Sequence, residues 1–128
     1  MRKNIIKSIY FISILLLIVG CSQKPTINVA KVEANVENHL NELDEVEIAL
    51  STFDGDENIK FRLMVEGYPT ENEVTILFNK ILESFEKYSN QENFWMDYNG
   101  YFDIKNYEDG VIYEGTKLID REIKIISK

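Results

Sequence analysis

One cysteine, one histidine, one tryptophan and two prolines stand in this 128-residue sequence, with six glycines. A single cysteine excludes an intramolecular disulfide and any cysteine-based metal centre. A single histidine, His39, leaves no pair of imidazoles to hold zinc. Scarce proline and glycine, beside 45% hydrophobic and 28% charged residues, exclude a low-complexity chain. Basic residues are also in short supply: 14 Lys and Arg face 22 Asp and Glu, for a net charge of −8. That balance repels phosphate backbones and argues against nucleic acid as a partner. The length suits one domain, with room for a single modest core.

The apolar residues that are present begin with an unusual concentration. Arg2, Lys3 and Lys7 precede a run from Ile9 to Val19 in which Ser13 is the one clearly polar side chain. The run is shorter than the roughly 20 residues a membrane span needs, and it has the length of a signal-peptide core. It ends in Ile18-Val19-Gly20-Cys21. This ending resembles the lipobox of bacterial lipoproteins. The resemblance covers about residues 2 to 21, and the absence of any other cysteine agrees with it. It implies that residues 1–20 are an export signal and that the Cys21 thiol receives a diacylglyceryl group. Cleavage before Cys21 would make it the mature N-terminus, and two acyl chains suffice for stable anchoring. The implied location is the extracytoplasmic face of the cell membrane. In a Gram-negative host, Ser22 after the cysteine would direct the protein to the outer membrane.

Loss of the three leader cations leaves 11 Lys and Arg against 22 acids, a net charge of −11. Anionic lipid heads repel such a domain, so the membrane partnership expected here runs through the lipid on Cys21 and not through charge. Residues 21–27 form a short tether, whose six residues after the cysteine reach about 20 Å. Residues 28–128 read as one α+β domain.

Val29, Val32, Val36, Leu40 and Leu43 repeat at helical spacing and predict a helix over 28–43. Val46, Ile48 and Leu50 alternate with Glu47, Ala49 and Ser51 and predict a strand with Ile48 and Leu50 turned inward. Asp54 to Asn58 reads as a turn. Ile59, Phe61, Leu63 and Val65 alternate with polar residues in a second strand, hairpinned to the first. Thr70-Glu71-Asn72-Glu73 is a capping box. It opens a helix whose stripe is Val74, Leu77, Phe78, Ile81, Leu82, Phe85 and Tyr88. Strand-like segments follow over 94–107, 111–118 and 122–126. Asp109-Gly110 signals a two-residue hairpin turn, pairing Glu108 with Val111, Lys105 with Glu114 and Ile104 with Gly115. The expected fold is a two-layer α+β domain in the order α-β-β-α-β-β(-β). Its sheet is mainly antiparallel, with both helices on one face.

Three patterns touch on catalysis or metal binding. His39 is the usual kind of general base near neutral pH, but no cysteine or well-placed serine stands ready to pair with it. Asp54-Gly55-Asp56-Glu57 is too short, with its glycine too early, for an EF-hand loop. Ser84-Phe85-Glu86-Lys87 has the Ser-x-x-Lys spacing of some acylating enzymes without their further motifs, and it predicts Ser84 near solvent. No catalytic residue, metal ligand or cofactor is expected. The aromatic residues are more suggestive. In the expected register Phe102, Ile104, Val111 and Tyr113 share the helix-covered face. Tyr101, Tyr107, Ile112 and Leu118 then lie on the opposite face as a candidate partner-binding surface. The reading is a non-enzymatic, lipid-anchored interaction module with a protein partner near the membrane. Its alternatives are a small-molecule or peptide-binding lipoprotein and an exclusion-type lipoprotein of a mobile element. The second rests on a likeness of size and layout to small Gram-positive lipoproteins.

Overall fold

Asn28 opens the first helix by accepting a hydrogen bond from the Lys31 amide at 3.2 Å, as an N-cap should. The structure, a computed structural model, describes residues 27–128; the leader, Cys21 and most of the tether lie outside the described residues. Helix α1 spans Val29–Asn41 and buries Val29, Val32, Val36 and Leu40. Strands β1 (Ile48–Phe53) and β2 (Asn58–Met64) form an antiparallel hairpin. The Thr70–Glu73 capping box starts helix α2, Glu71–Ser89, and Asn90 ends it in the left-handed region. A 3₁₀ turn at Phe94–Met96 leads into β3 (Asn99–Asn106), β4 (Gly110–Lys117) and β5 (Lys124–Ser127). The fold is α+β in the order α-β-β-α-β-β-β, with the five strands side by side in chain order.

One pairing departs from the expected hairpins. β2 and β3 run parallel, with Phe61 beside Phe102 and Leu63 beside Ile104. A parallel pair cannot be closed by a tight turn, and α2 supplies the long connection. Its stripe lies on the rows it joins. Phe85 packs edge-on to Phe61 at 5.9 Å between ring centroids, and Phe78 lies 5.8 Å from Phe102. Trp95 stands edge-on to both Phe85 and Phe102, and its indole N–H donates to the Leu82 carbonyl at 3.1 Å. Gly115, opposite Phe102, leaves the space that the Phe78 ring fills; a Cβ there would lie 2.8 Å from that ring.

Three local expectations are corrected. In β1, Ala49 is the buried residue, while Ile48 and Leu50 stand 42% and 55% exposed. The reason is α1. Asn41 brackets Ala49 by accepting from its amide at 2.8 Å and donating to its carbonyl at 3.5 Å. A small side chain fits where the helix comes that close, and Val46 enters the core from the preceding loop. Second, residues 94–98 are not strand. Phe94 and Trp95 are buried in the 3₁₀ turn and close the end of the core.

Third, the β3–β4 register differs. Asn106 pairs with Gly110 around a loop of Tyr107, Glu108 and Asp109, because the Asn106 side chain accepts from the Asp109 amide at 2.8 Å. Lys105 then pairs with Val111 and Ile104 with Tyr113, so Ile112 is the extra residue of a β-bulge. Phe102, Ile104 and Tyr113 do share the helix side, but Val111 pairs with Lys105 in the row on the other face, and Ile112 is buried, 8% exposed, and belongs to the core cluster.

Exposure also grades the α2 stripe. Ile81 and Phe85 are fully buried, whereas Leu82 is partly buried at its margin. Ile81→Ala should cost about 2–5 kcal/mol, and Leu82→Ala clearly less. Urea unfolding of the two variants checks the ranking, and a larger loss for Leu82→Ala would move the centre of the core.

Candidate binding surface

Strand pleating and register determine what the uncovered side of the sheet presents. One cross-strand row runs Leu50, Arg62, Asp103, Glu114, Ile126. The next runs Thr52, Lys60, Tyr101, Thr116, Lys124, and a shorter one Ile48, Met64, Lys105, Val111. At the centre Arg62 grips Asp103 with two hydrogen bonds, Nε to Oδ1 at 2.7 Å and Nη2 to Oδ2 at 2.9 Å. The carboxylate raises the Arg62 pKa above its ordinary value, so the guanidinium stays charged. Lys128 Nζ lies 3.4 Å from Glu114. Around these pairs the first two rows line an open depression of about 550 Å³, walled by Leu50, Thr52, Lys60, Tyr101 and Thr116.

The four residues singled out as a partner site do not come together. Tyr101 stands on this open face, 39% exposed. Tyr107 is exposed at the tip of the β3–β4 turn, where the Glu47 carboxylate raises its phenol pKa. Ile112 is core, and Leu118 is half-buried just past β4. Sequence reasoning missed Leu50, Ile48 and Ile126, which are exposed on the open face. The missed signal was Ala49 between two large aliphatics: the smallest side chain of an alternating run marks where a helix comes close.

The other singled-out residues have structural surroundings. His39 is half-buried on α1, its ring 6.0 Å from that of Tyr88. Ser84 is buried, not near solvent, and its hydroxyl donates to the Lys80 carbonyl at 2.6 Å. Asp54 caps the β1–β2 turn by accepting the amides of Asp56, Glu57 and Asn58, and these bonds hold its pKa below the usual range. A second depression, between the start of α2 and the β1–β2 pair, is lined by Asp44, Glu45, Glu47, Glu66 and Glu73. The Glu47 carboxylate raises the Glu66 pKa there, and Asp109 pushes the nearby Tyr68 phenol up to about 12. Among the described residues no cluster of His, Cys, Asp or Glu is placed to hold a metal ion. Nor is any described helix long and apolar enough to cross a membrane.

The edge of β1 is closed by side chains. Glu37 accepts from both the amide and the hydroxyl of Ser51 at 2.7 Å, next to the Asn41 clamp on Ala49. Glu33 lies buried beside them, and burial, the largest cause, raises its pKa. Comparison with protein-family models, with curated proteins and with solved structures finds no match to this chain.

Glu33 generates a pH prediction. Its pKa is raised in the fold, so its contribution is complete below the ordinary carboxylate range and is lost as pH rises through the folded value. Glu33→Gln should therefore be more stable than wild type at pH 7, with the difference gone near pH 3. Paired urea titrations read it. A variant less stable than wild type at pH 7 would mean that the ionised carboxylate is favoured in the fold.

Proposed function

We propose that the chain is a lipid-anchored, non-enzymatic binding module of the extracytoplasmic membrane face, attached through Cys21. It binds a protein partner through the open face of its sheet. The observation that carries the reading is one-sidedness: both helices pack on one face, and Leu50, Tyr101 and Ile126 stay exposed on the other. A monomer gains nothing from keeping such side chains in water, whereas a partner gains contact area from them. The tether gives the face its setting. A short link to the bilayer confines the domain among other membrane proteins, where local concentration substitutes for high affinity.

Two experiments test the reading. Cys21→Ser should abolish acyl labelling and leave an uncleaved precursor; normal labelling and maturation of that variant would remove the anchor. A photo-crosslinking residue at Leu50 should give a discrete adduct in native membranes. The same residue at Glu83, on α2, should not. Leu50→Ser should lower capture from a probe at Tyr101 while changing stability by no more than about 0.5 kcal/mol, as at other exposed sites. Matching adducts from Leu50 and Glu83 would exclude the sheet face.

A further inference from the structure

Charge is distributed unevenly over this molecule. In the three cross-strand rows of the open face stand Lys60, Arg62, Lys105 and Lys124, against only Asp103 and Glu114 of the chain's 22 acidic residues. Both of those acids are already engaged, Asp103 by Arg62 and Glu114 by Lys128. Lys60, Lys105 and Lys124 are not ion-paired among the described residues. At the rim, Asp54 spends its carboxylate on the β1–β2 turn, while Glu47 and Glu66 lie against Tyr107 beyond the Lys105 end. A chain of net charge −8 thus turns a locally cationic, partly apolar surface outward on one side.

We infer that the occupant of the open face is an acidic polypeptide segment. Its carboxylates would meet Lys60, Lys105 and Lys124, and an aliphatic side chain would settle between Leu50 and Tyr101. The inference rests on the reading of this face as a binding surface and names the chemistry of its partner. Complementary charge steers and orients the encounter, and the acidic remainder of the domain turns an acidic partner away from every other side. The Arg62–Asp103 pair adds to the selectivity. A carboxylate can approach Arg62 only by competing with a bidentate pair, which directs it toward the three lysines. A bilayer fits less well, because the surface is a depression and not a protrusion.

The test uses the full chain in neutral detergent and a decapeptide of alternating Glu and Leu carrying an uncharged fluorophore. Anisotropy should report binding that weakens as salt rises from about 0.05 to about 0.5 M. The triple variant Lys60→Glu, Lys105→Glu, Lys124→Glu should lose about tenfold in affinity. The control Lys31→Glu, Lys80→Glu, Lys87→Glu makes the same change in net charge on the helices and should stay within about twofold of wild type. Circular dichroism verifies the fold; if charge reversal unfolds the domain, the three Lys→Gln changes replace it and should still weaken binding. Equal losses in the two triple variants, or no binding of the acidic probe, would overturn the inference. So would displacement of the probe by phosphatidylglycerol vesicles and not by phosphatidylcholine vesicles, which would assign the face to lipid headgroups. If the Leu50 adduct persists in native membranes while the probe ignores the lysines, the binding face stands and only its chemistry falls. Loss of both removes the face as well.

Discussion

The packing of α2 across the parallel pair β2–β3 is the contact on which the rest of the molecule depends. Parallel neighbours need a connection long enough to return to the starting end of the sheet. Here that connection brings Phe78 and Phe85 down onto Phe102 and Phe61. Once the crossover lies on one side, Phe61 of β2 and Phe102 of β3 must point there. Trp95 and Phe94 then close the end of the cluster, and Gly115 must remain small to admit Phe78. The bare opposite side follows from the same contact. Among the described residues no third layer covers it.

The open side is built by pairing more than by burial. Its central positions hold an arginine, an aspartate and a glutamate in consecutive strands, and the two acids, Asp103 and Glu114, stand directly opposite each other, a pairing that repels unless each is compensated. Arg62 on one side and Lys128 on the other compensate these two acids, and the row becomes a neutral spine flanked by cations and a few apolar groups. Individual exposed ion pairs of this kind contribute little to stability, about 0–1 kcal/mol. Their effect is on what can approach.

Much of the fold was legible in the sequence because helical stripes and a capping box are local signals. α1, α2 and β2 have the faces their periodicity implied, and the capping box at Thr70 and Glu73 forms as read. The failures occur where a distant contact outweighs a local pattern. Ile48 and Leu50 look like core until Asn41 of α1 is seen to hold Ala49 inward. Asp109-Gly110 looks like a two-residue turn until the Asn106 side chain takes the Asp109 amide and moves the turn back by a residue. That bulge carried Ile112 into the core, and with it went the expected grouping with Tyr101, Tyr107 and Leu118. Parallel pairing of β2 and β3 has no local signature at all. The uncovered sheet face was therefore anticipated in kind, but of the four residues singled out for it only Tyr101 stands there.

The clamps of Glu37 and Asn41 on β1 bear on how copies of this domain can assemble. Sheets join through the amides and carbonyls of their outer strands. Along β1 the amide and carbonyl of Ala49 and the amide of Ser51 are already spent on the first helix, so that border is a poor acceptor of a further strand there. The opposite border is β5, four residues long and flanked by Lys124 and Lys128. A sheet that can be extended from one border alone can pair with a single neighbour, and the pair then has no border left to offer. Strand-to-strand association is thereby steered toward the β5 border, which favours a closed pair of copies over an open-ended series.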